Sequence, residues 1–189
     1  IINRIASLRN FMRKHKLSAF IIPSTDPHSG KYIPKHWEAR KWISGFTGSA
    51  GTVVVTLDKA GLWTDSRYFL QGADQLKGTD IKLMKQGLPE TPEIIPWLSV
   101  ELKKGDKVAV NAEMFSINSF SVMKTELALN DIELPFTHCE IDPKTQYSIQ
   151  ANLIHYLEHN QAPRNTYQAS MGKQSLCIYH RNHVNRFDG

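Results

Sequence analysis

Apolar residues fall at helical spacing at the start of the chain, where Ile5, Leu8, Phe11 and Met12 form one stripe. The pattern then shortens. Ala19, Phe20, Ile21 and Ile22 make a continuous apolar run that reads as a buried strand stopped by Pro23. Asp26, Pro27, His28, Ser29 and Gly30 are loop residues. A short helix is predicted over 37–44. Residues 52–57 are β-branched almost throughout and predict a second buried strand. Asp58, Lys59, Ala60 and Gly61 predict a turn, and Leu62, Trp63 and Thr64 the returning strand. Asp65 is placed to cap a helix over 66–76, because its carboxylate can accept from free backbone N–H groups.

The rhythm continues past that hairpin. Ile81, Lys82, Leu83, Met84 and Lys85 alternate as a strand does. Pro89, Pro92 and Pro96 bracket a turn and a short helix over 94–100, residues 107–110 predict another strand, and 116–129 a helix. Ile132, Glu133 and Leu134 are expected to close the sheet. The alternation predicts a three-layer α/β domain of about 135 residues, its sheet made mixed by the hairpin.

Near residue 136 the pattern breaks. The last 53 residues hold five histidines, five asparagines and five glutamines, and the strand–helix rhythm is lost. A mostly irregular or helical tail is expected there, not an independent domain, giving a division into 1–136 and 137–189.

Composition changes the picture little. The chain has 189 residues, 41% hydrophobic and 22% charged, within the range of globular proteins. A net charge of +5 is modest, and the basic cluster Arg9, Arg13, Lys14 and Lys16 reads as a solvated helix face. Nucleic acid is therefore not an expected partner. No apolar run approaches the roughly 18 residues that cross a membrane, so no membrane partner is expected. Cys139 and Cys177 make no disulfide framework, and no secretory signal is evident from Ile1 onward; a cytoplasmic location is the expectation.

One stretch carries more than its pattern. Gly45, Gly48 and Gly51 recur at a spacing of three, with Thr47, Ser49 and Ala50 between them, and small residues let a backbone turn tightly against another surface. Read alone, this is a packed hairpin entry or a functional loop. The whole run from His36 to Thr52, followed by Leu62 to Gln71, resembles the creatinase-type N-terminal domain of the Xaa-Pro aminopeptidases. The resemblance covers residues 1 to about 136. It implies the three-layer creatinase/aminopeptidase P N-terminal fold, a ribonuclease H-like motif with a mixed sheet.

In the intact family enzyme, two metals, usually manganese, activate a bridging water for removal of a residue that precedes proline. Those metals sit on two aspartates, a histidine and two glutamates of a C-terminal pita-bread domain, which have no counterpart here. The resemblance therefore implies no catalytic residue and no metal or other cofactor in this chain. Its implied role is oligomer contact and substrate gating, with proline-containing peptides as substrates only of the full-length enzyme and a homo-oligomer as the assembly. Asp65, Arg67 and Tyr68 are the gating candidates. Arg67 could meet a substrate carboxylate or backbone carbonyl, or could simply pair with a nearby acid.

The tail resembles something else. Thr137 to Ile141, and then Leu157 to Gln174, are similar to the second-largest subunit of multisubunit RNA polymerases. That resemblance implies a nucleotide-phosphate contact for Arg164 and contacts toward RNA for Lys173 and Gln174. Two positions depart from it: His155, where a proline is usual, and Cys177, where a small residue is usual. A fragment of such a subunit, or a chimeric or misassembled chain with no single function, is the alternative to the aminopeptidase reading.

His155, Glu158 and His159 also match the inverted zinc-peptidase pattern H-x-x-E-H. A third protein ligand would have to come from the 30 residues that follow, where Asp188 is the sole acid, and the polymerase resemblance accounts for Glu158 and His159 without zinc. His138, Cys139 and Glu140 lack a second cluster and read as a chance grouping.

Overall fold

The computed structural model describes residues 1–26, 30, 32–111 and 114–135. Five strands form one sheet: β1 (Ala19–Pro23), β2 (Thr52–Thr56), β3 (Ala60–Thr64), β4 (Ile81–Lys85) and β5 (Val108–Val110). Their order is β4-β3-β2-β1-β5. The two central pairings, β1 with β2 and β2 with β3, are antiparallel, whereas β4 and β5 join the edges in parallel. The predicted mixed sheet is therefore present, and its mixed character comes from the hairpin.

Alternation along the strands sends side chains to two separate cores. On one face, Phe20, Ile22, Val53, Val55 and Leu62 pack with Ile5, Leu8 and Met12 of α1 (Ile2–Lys14), Trp42 and Ile43 of α2 (Ala39–Ser44), and Leu76 just past α3 (Phe69–Gln75). On the other, Ile21, Val54, Trp63, Met84, Val108 and Val110 pack with Leu98 of α4 (Ile94–Glu101) and with Phe120 and Leu127 of α5 (Ile117–Ala128). Helices on both faces make the three layers. The stripe read from the sequence holds: Ile5, Leu8 and Met12 are buried and Phe11 is half-buried.

Four elements differ from the sequence reading, each for a local reason. Residues 37–44 are not one helix; a 3-10 turn over Lys35–Trp37 precedes α2, broken at Glu38 with ψ 39°. Residues 66–76 are likewise divided into a 3-10 turn at Ser66–Tyr68 and then α3, with Tyr68 at φ −118°, ψ 6° off the helical geometry. Ala60 and Gly61 belong to β3 rather than to the turn. Gly61 is needed inside the strand because a Cβ there would lie 2.7 Å from Cζ3 of Trp63. Finally, Ile132, Glu133 and Leu134 form no full strand. A single parallel bridge joins Glu133 to Lys107, while Ile132 and Leu134 are buried beneath it.

On the edge strand β4, Lys82 and Lys85 are exposed, and each follows a buried residue, Ile81 and Met84. Pro96 sits in the first turn of α4, where a missing N–H costs nothing. The loop predicted at residues 26–30 is described only at Asp26 and Gly30, where Gly30 N–H donates to Asp26 Oδ1 at 2.9 Å. The boundary near residue 136 lies at the limit of the described residues, and the tail 137–189 lies outside them.

Candidate functional site

The residues singled out in the sequence meet at one end of the hairpin. β3 ends at Thr64, and Asp65 follows in extended geometry, φ −82° and ψ 172°. Its carboxylate accepts the backbone N–H of Arg67 at 3.1 Å, so the predicted capping role is realised on a 3-10 turn instead of an α-helix. The same carboxylate accepts Nε and Nη2 of Arg67, each at 2.8 Å. Arg67 thus carries its own partner two residues away. The pair holds the Asp65 carboxyl below its ordinary range, chiefly through the side-chain hydrogen bond, and raises Arg67 above its own. The Arg67 side chain stays 68% exposed, and its guanidinium carbon lies 5.3 Å from the centre of the Tyr68 ring.

Tyr68 joins this turn to the glycine-rich loop. Its hydroxyl is 2.6 Å from Ser49 Oγ, and that hydrogen bond is the main reason the phenol titrates below its ordinary value. Its ring meets Phe46 edge-on, centroids 5.9 Å apart. On the other side of the loop, Thr47 N–H donates to Gln75 Oε1 at 2.9 Å, and Thr47 Oγ1 accepts from Gln71 and Gln75 Nε2, each at 2.8 Å. Thr64 Oγ1 donates to Ala50 O at 2.8 Å and Ser24 Oγ to Gly51 O at 2.7 Å. The loop is therefore fixed from three directions, and its Thr47 and Ser49 face solvent.

Arg40 is the residue that sequence reasoning missed. It lies on α2 and is only 6% exposed. Its Nη1 donates to Phe46 O at 3.2 Å and its Nη2 to Gly48 O, while the guanidinium stacks over the Phe46 ring at 4.9 Å. Burial pushes Arg40 down to about 10. The available signal was its position: Arg40 is followed three and four places on by Ile43 and Ser44, both buried, so it lies on the helix face turned inward.

The surface can hydrogen-bond and make contacts. Among the described residues no group of three or more His, Cys, Asp or Glu side chains could hold a metal ion. A separate shallow cleft of about 310 Å³ is lined by Asp58, Lys59, Asp80, Lys82, Trp97 and Glu101, and Lys59 Nζ pairs with Glu101 across 2.7 Å there. Arg164, Lys173 and Gln174, the H-x-x-E-H residues His155, Glu158 and His159, and His138, Cys139 and Glu140 all lie outside the described residues.

Residues 4–139 match the Creatinase/Prolidase N-terminal domain. The chain belongs to that family. Its creatinase-type domain is the one found in Xaa-Pro aminopeptidases. It is 46% identical over 124 residues to Xaa-Pro aminopeptidase 2 of Rattus norvegicus, covering 66% of this chain and 18% of that protein. It is 40% identical over 136 residues to Xaa-Pro aminopeptidase 1 of Dictyostelium discoideum, covering 72% and 22%. The chain thus spans about a fifth of the length of these relatives. The creatinase-type domain also superimposes on X-prolyl aminopeptidase from Caenorhabditis elegans with a TM-score of 0.66 and 32% identity, over 70% of this chain and 23% of that one. That protein is a cytosolic enzyme with a di-nuclear active site. Residues 150–189 match domain 6 of the RNA polymerase subunit Rpb2.

Proposed function

We propose that this chain supplies the access-narrowing and assembly domain of a metal-dependent Xaa-Pro aminopeptidase. The observation that carries the reading is the Asp65–Arg67–Tyr68 turn. An arginine 68% exposed and held by two 2.8 Å bonds is presented on the turn that follows β3, beside Tyr68, whose hydroxyl is bound to Ser49. A charged group held this way has lost its side-chain freedom before any partner arrives, which lowers the cost of contact. The substrates of the whole enzyme are peptides with proline in the second position. Two metal ions, manganese by family chemistry, serve the whole enzyme. The assembly is a homo-oligomer in the cytoplasm. Among the described residues no helix is long and apolar enough to cross a membrane.

Arg67→Ala tests the reading. In the 189-residue chain the change should alter unfolding free energy by no more than roughly 0.5 kcal/mol, because an exposed ion pair contributes little. In a complete aminopeptidase carrying this domain, it should impair turnover or assembly. Denaturant titration, steady-state kinetics and sedimentation measure the two sides. A large stability loss with normal turnover would make Arg67 a structural residue and remove the surface from gating.

The match over residues 150–189 supports a second reading for that segment alone, a piece of a polymerase second-largest subunit in a chain with an unnatural junction. A polar-rich segment of that size rarely buries enough surface to fold by itself. Deleting residues 137–189 should therefore leave the cooperative thermal transition of residues 1–136 intact. Calorimetry decides this: loss of the transition would mean that the domain needs the tail, and that the boundary near residue 136 is wrong.

A further inference from the structure

The creatinase-type domain holds one cation where cations are seldom found. Arg40 is 6% exposed, and among the described residues its Nε has no hydrogen-bond partner. Removing a guanidinium from water is expensive unless its surroundings use it. Its two terminal nitrogens are both spent on the backbone of one loop, at Phe46 O and Gly48 O. The carbonyls are two residues apart, so a single planar fork fixes both peptide planes together. Between them sits Thr47, whose side chain points out to Gln71 and Gln75 of α3.

The same fork reaches Tyr68 through one ring. Phe46 is fully buried, with the Arg40 guanidinium over its face and the Tyr68 ring at its edge. Gly48 leaves room for this contact, since a Cβ there would overlap the Phe46 ring and lie 2.8 Å from Cδ1 of Tyr68. Ser44 completes the brace: its Oγ donates to Arg40 O at 2.7 Å and accepts Phe46 N–H at 3.1 Å. Arg40 therefore touches both anchors of the exposed surface: the loop that carries Ser49, and the aromatic pair on which Tyr68 rests.

We propose that Arg40 is the positioning residue of the Ser49–Tyr68–Arg67 surface, setting from within the core the geometry that the surface presents to a partner. The functional part of this inference rests on the gating reading above; the positioning part does not. A core residue that only added cohesion would stabilise every element alike. A positioning residue acts on residues 46–49 and Tyr68 selectively. The requirement is for a planar fork and not only for charge, so lysine, a point cation with one nitrogen, cannot hold both carbonyls at the same separation.

The test compares Arg40→Lys and Arg40→Met in the 189-residue chain by amide hydrogen exchange and by the ring resonances of Tyr68. In both variants the amides of Phe46 and Thr47 should exchange about tenfold faster or more, as the loss of a charge-assisted bond allows local opening. The β2 amides of Val53 to Val55 should keep their protection, and the Tyr68 ring shifts should move away from the values that the Phe46 ring current sets. Arg40→Lys keeps charge and bulk, so it decides the matter if Arg40→Met does not fold. Unchanged loop exchange in Arg40→Lys, or an equal rise at the loop and β2, overturns the inference. In a complete enzyme, Arg40→Lys should lower kcat/KM in the same sense as Arg67→Ala, and normal turnover in Arg40→Lys beside an impaired Arg67→Ala also overturns it. If Arg67→Ala is without effect while the exchange result holds, the gating reading fails and Arg40 remains the positioning residue of the loop.

Discussion

Trp63→Ala should cost about 3–5 kcal/mol of stability, the range for truncating a core aromatic. Trp63 is 1% exposed and lies on β3, flanked on both sides by β2 and β4, so its removal opens a cavity inside the sheet's core face. Three contacts prevent easy collapse. The ring covers Gly61, which has no side chain to swing into the space. It meets Trp97 edge-on, with centroids 5.1 Å apart. Its Nε1–H donates to Pro92 O at 2.8 Å, tying β3 to the segment before α4. Trp63→Phe should lose less, because a six-membered ring is kept and only the pyrrole part and its hydrogen bond go. Urea unfolding of both variants checks the order. A Trp63→Ala cost below about 1 kcal/mol would show that α4 settles onto the sheet without it.

Gly48→Ala should be the next most damaging change, at about 1–3 kcal/mol, typical of overpacking in a filled site. One added methyl would overlap the Phe46 ring and crowd Tyr68 Cδ1 at 2.8 Å. Phe46 has nowhere to go: it is fully buried, with Arg40 stacked over it. Tyr68 is the softer neighbour, so the expected relief is its displacement from Ser49. The stability loss should therefore come with a rise of the Tyr68 phenol toward its ordinary range, since the Ser49 bond is the first cause of its depression. Denaturant titration and a spectroscopic titration of Tyr68 measure the two effects. A normal Tyr68 titration beside a full stability loss would show that Phe46, not Tyr68, yields.

The sequence disclosed the parts of this domain that repeat a simple period. α1 was legible from Ile5, Leu8 and Met12, and β1 and β2 from runs of apolar and β-branched residues. Trp63 was expected in the core and is there. Asp65 was expected to cap the element after β3 and does so. What stayed hidden depends on partners distant in pattern. Gly61 reads as a turn residue because glycine is common in turns; its place in β3 is dictated by an indole two residues away on the same face. Arg40 stands in a short helix, and nothing in the pattern of side chains names what it binds. Its partners are main-chain carbonyls six and eight positions on, and a carbonyl leaves no mark in the sequence of side chains. Of the two readings of Arg67, pairing with a nearby acid is the one present: Asp65, in the same turn, accepts its guanidinium.

The two borders of the sheet are closed by different means. At one, the outermost strand β4 carries the exposed lysines Lys82 and Lys85, whose charge opposes a neighbouring chain laying a further strand alongside. At the other, the bridge of Glu133 to Lys107, sealed by Ile132 and Leu134, occupies the margin beside β5. Unpaired borders are where sheets stick to one another and begin to aggregate. A sheet whose borders are guarded in this way resists such fusion at high concentration.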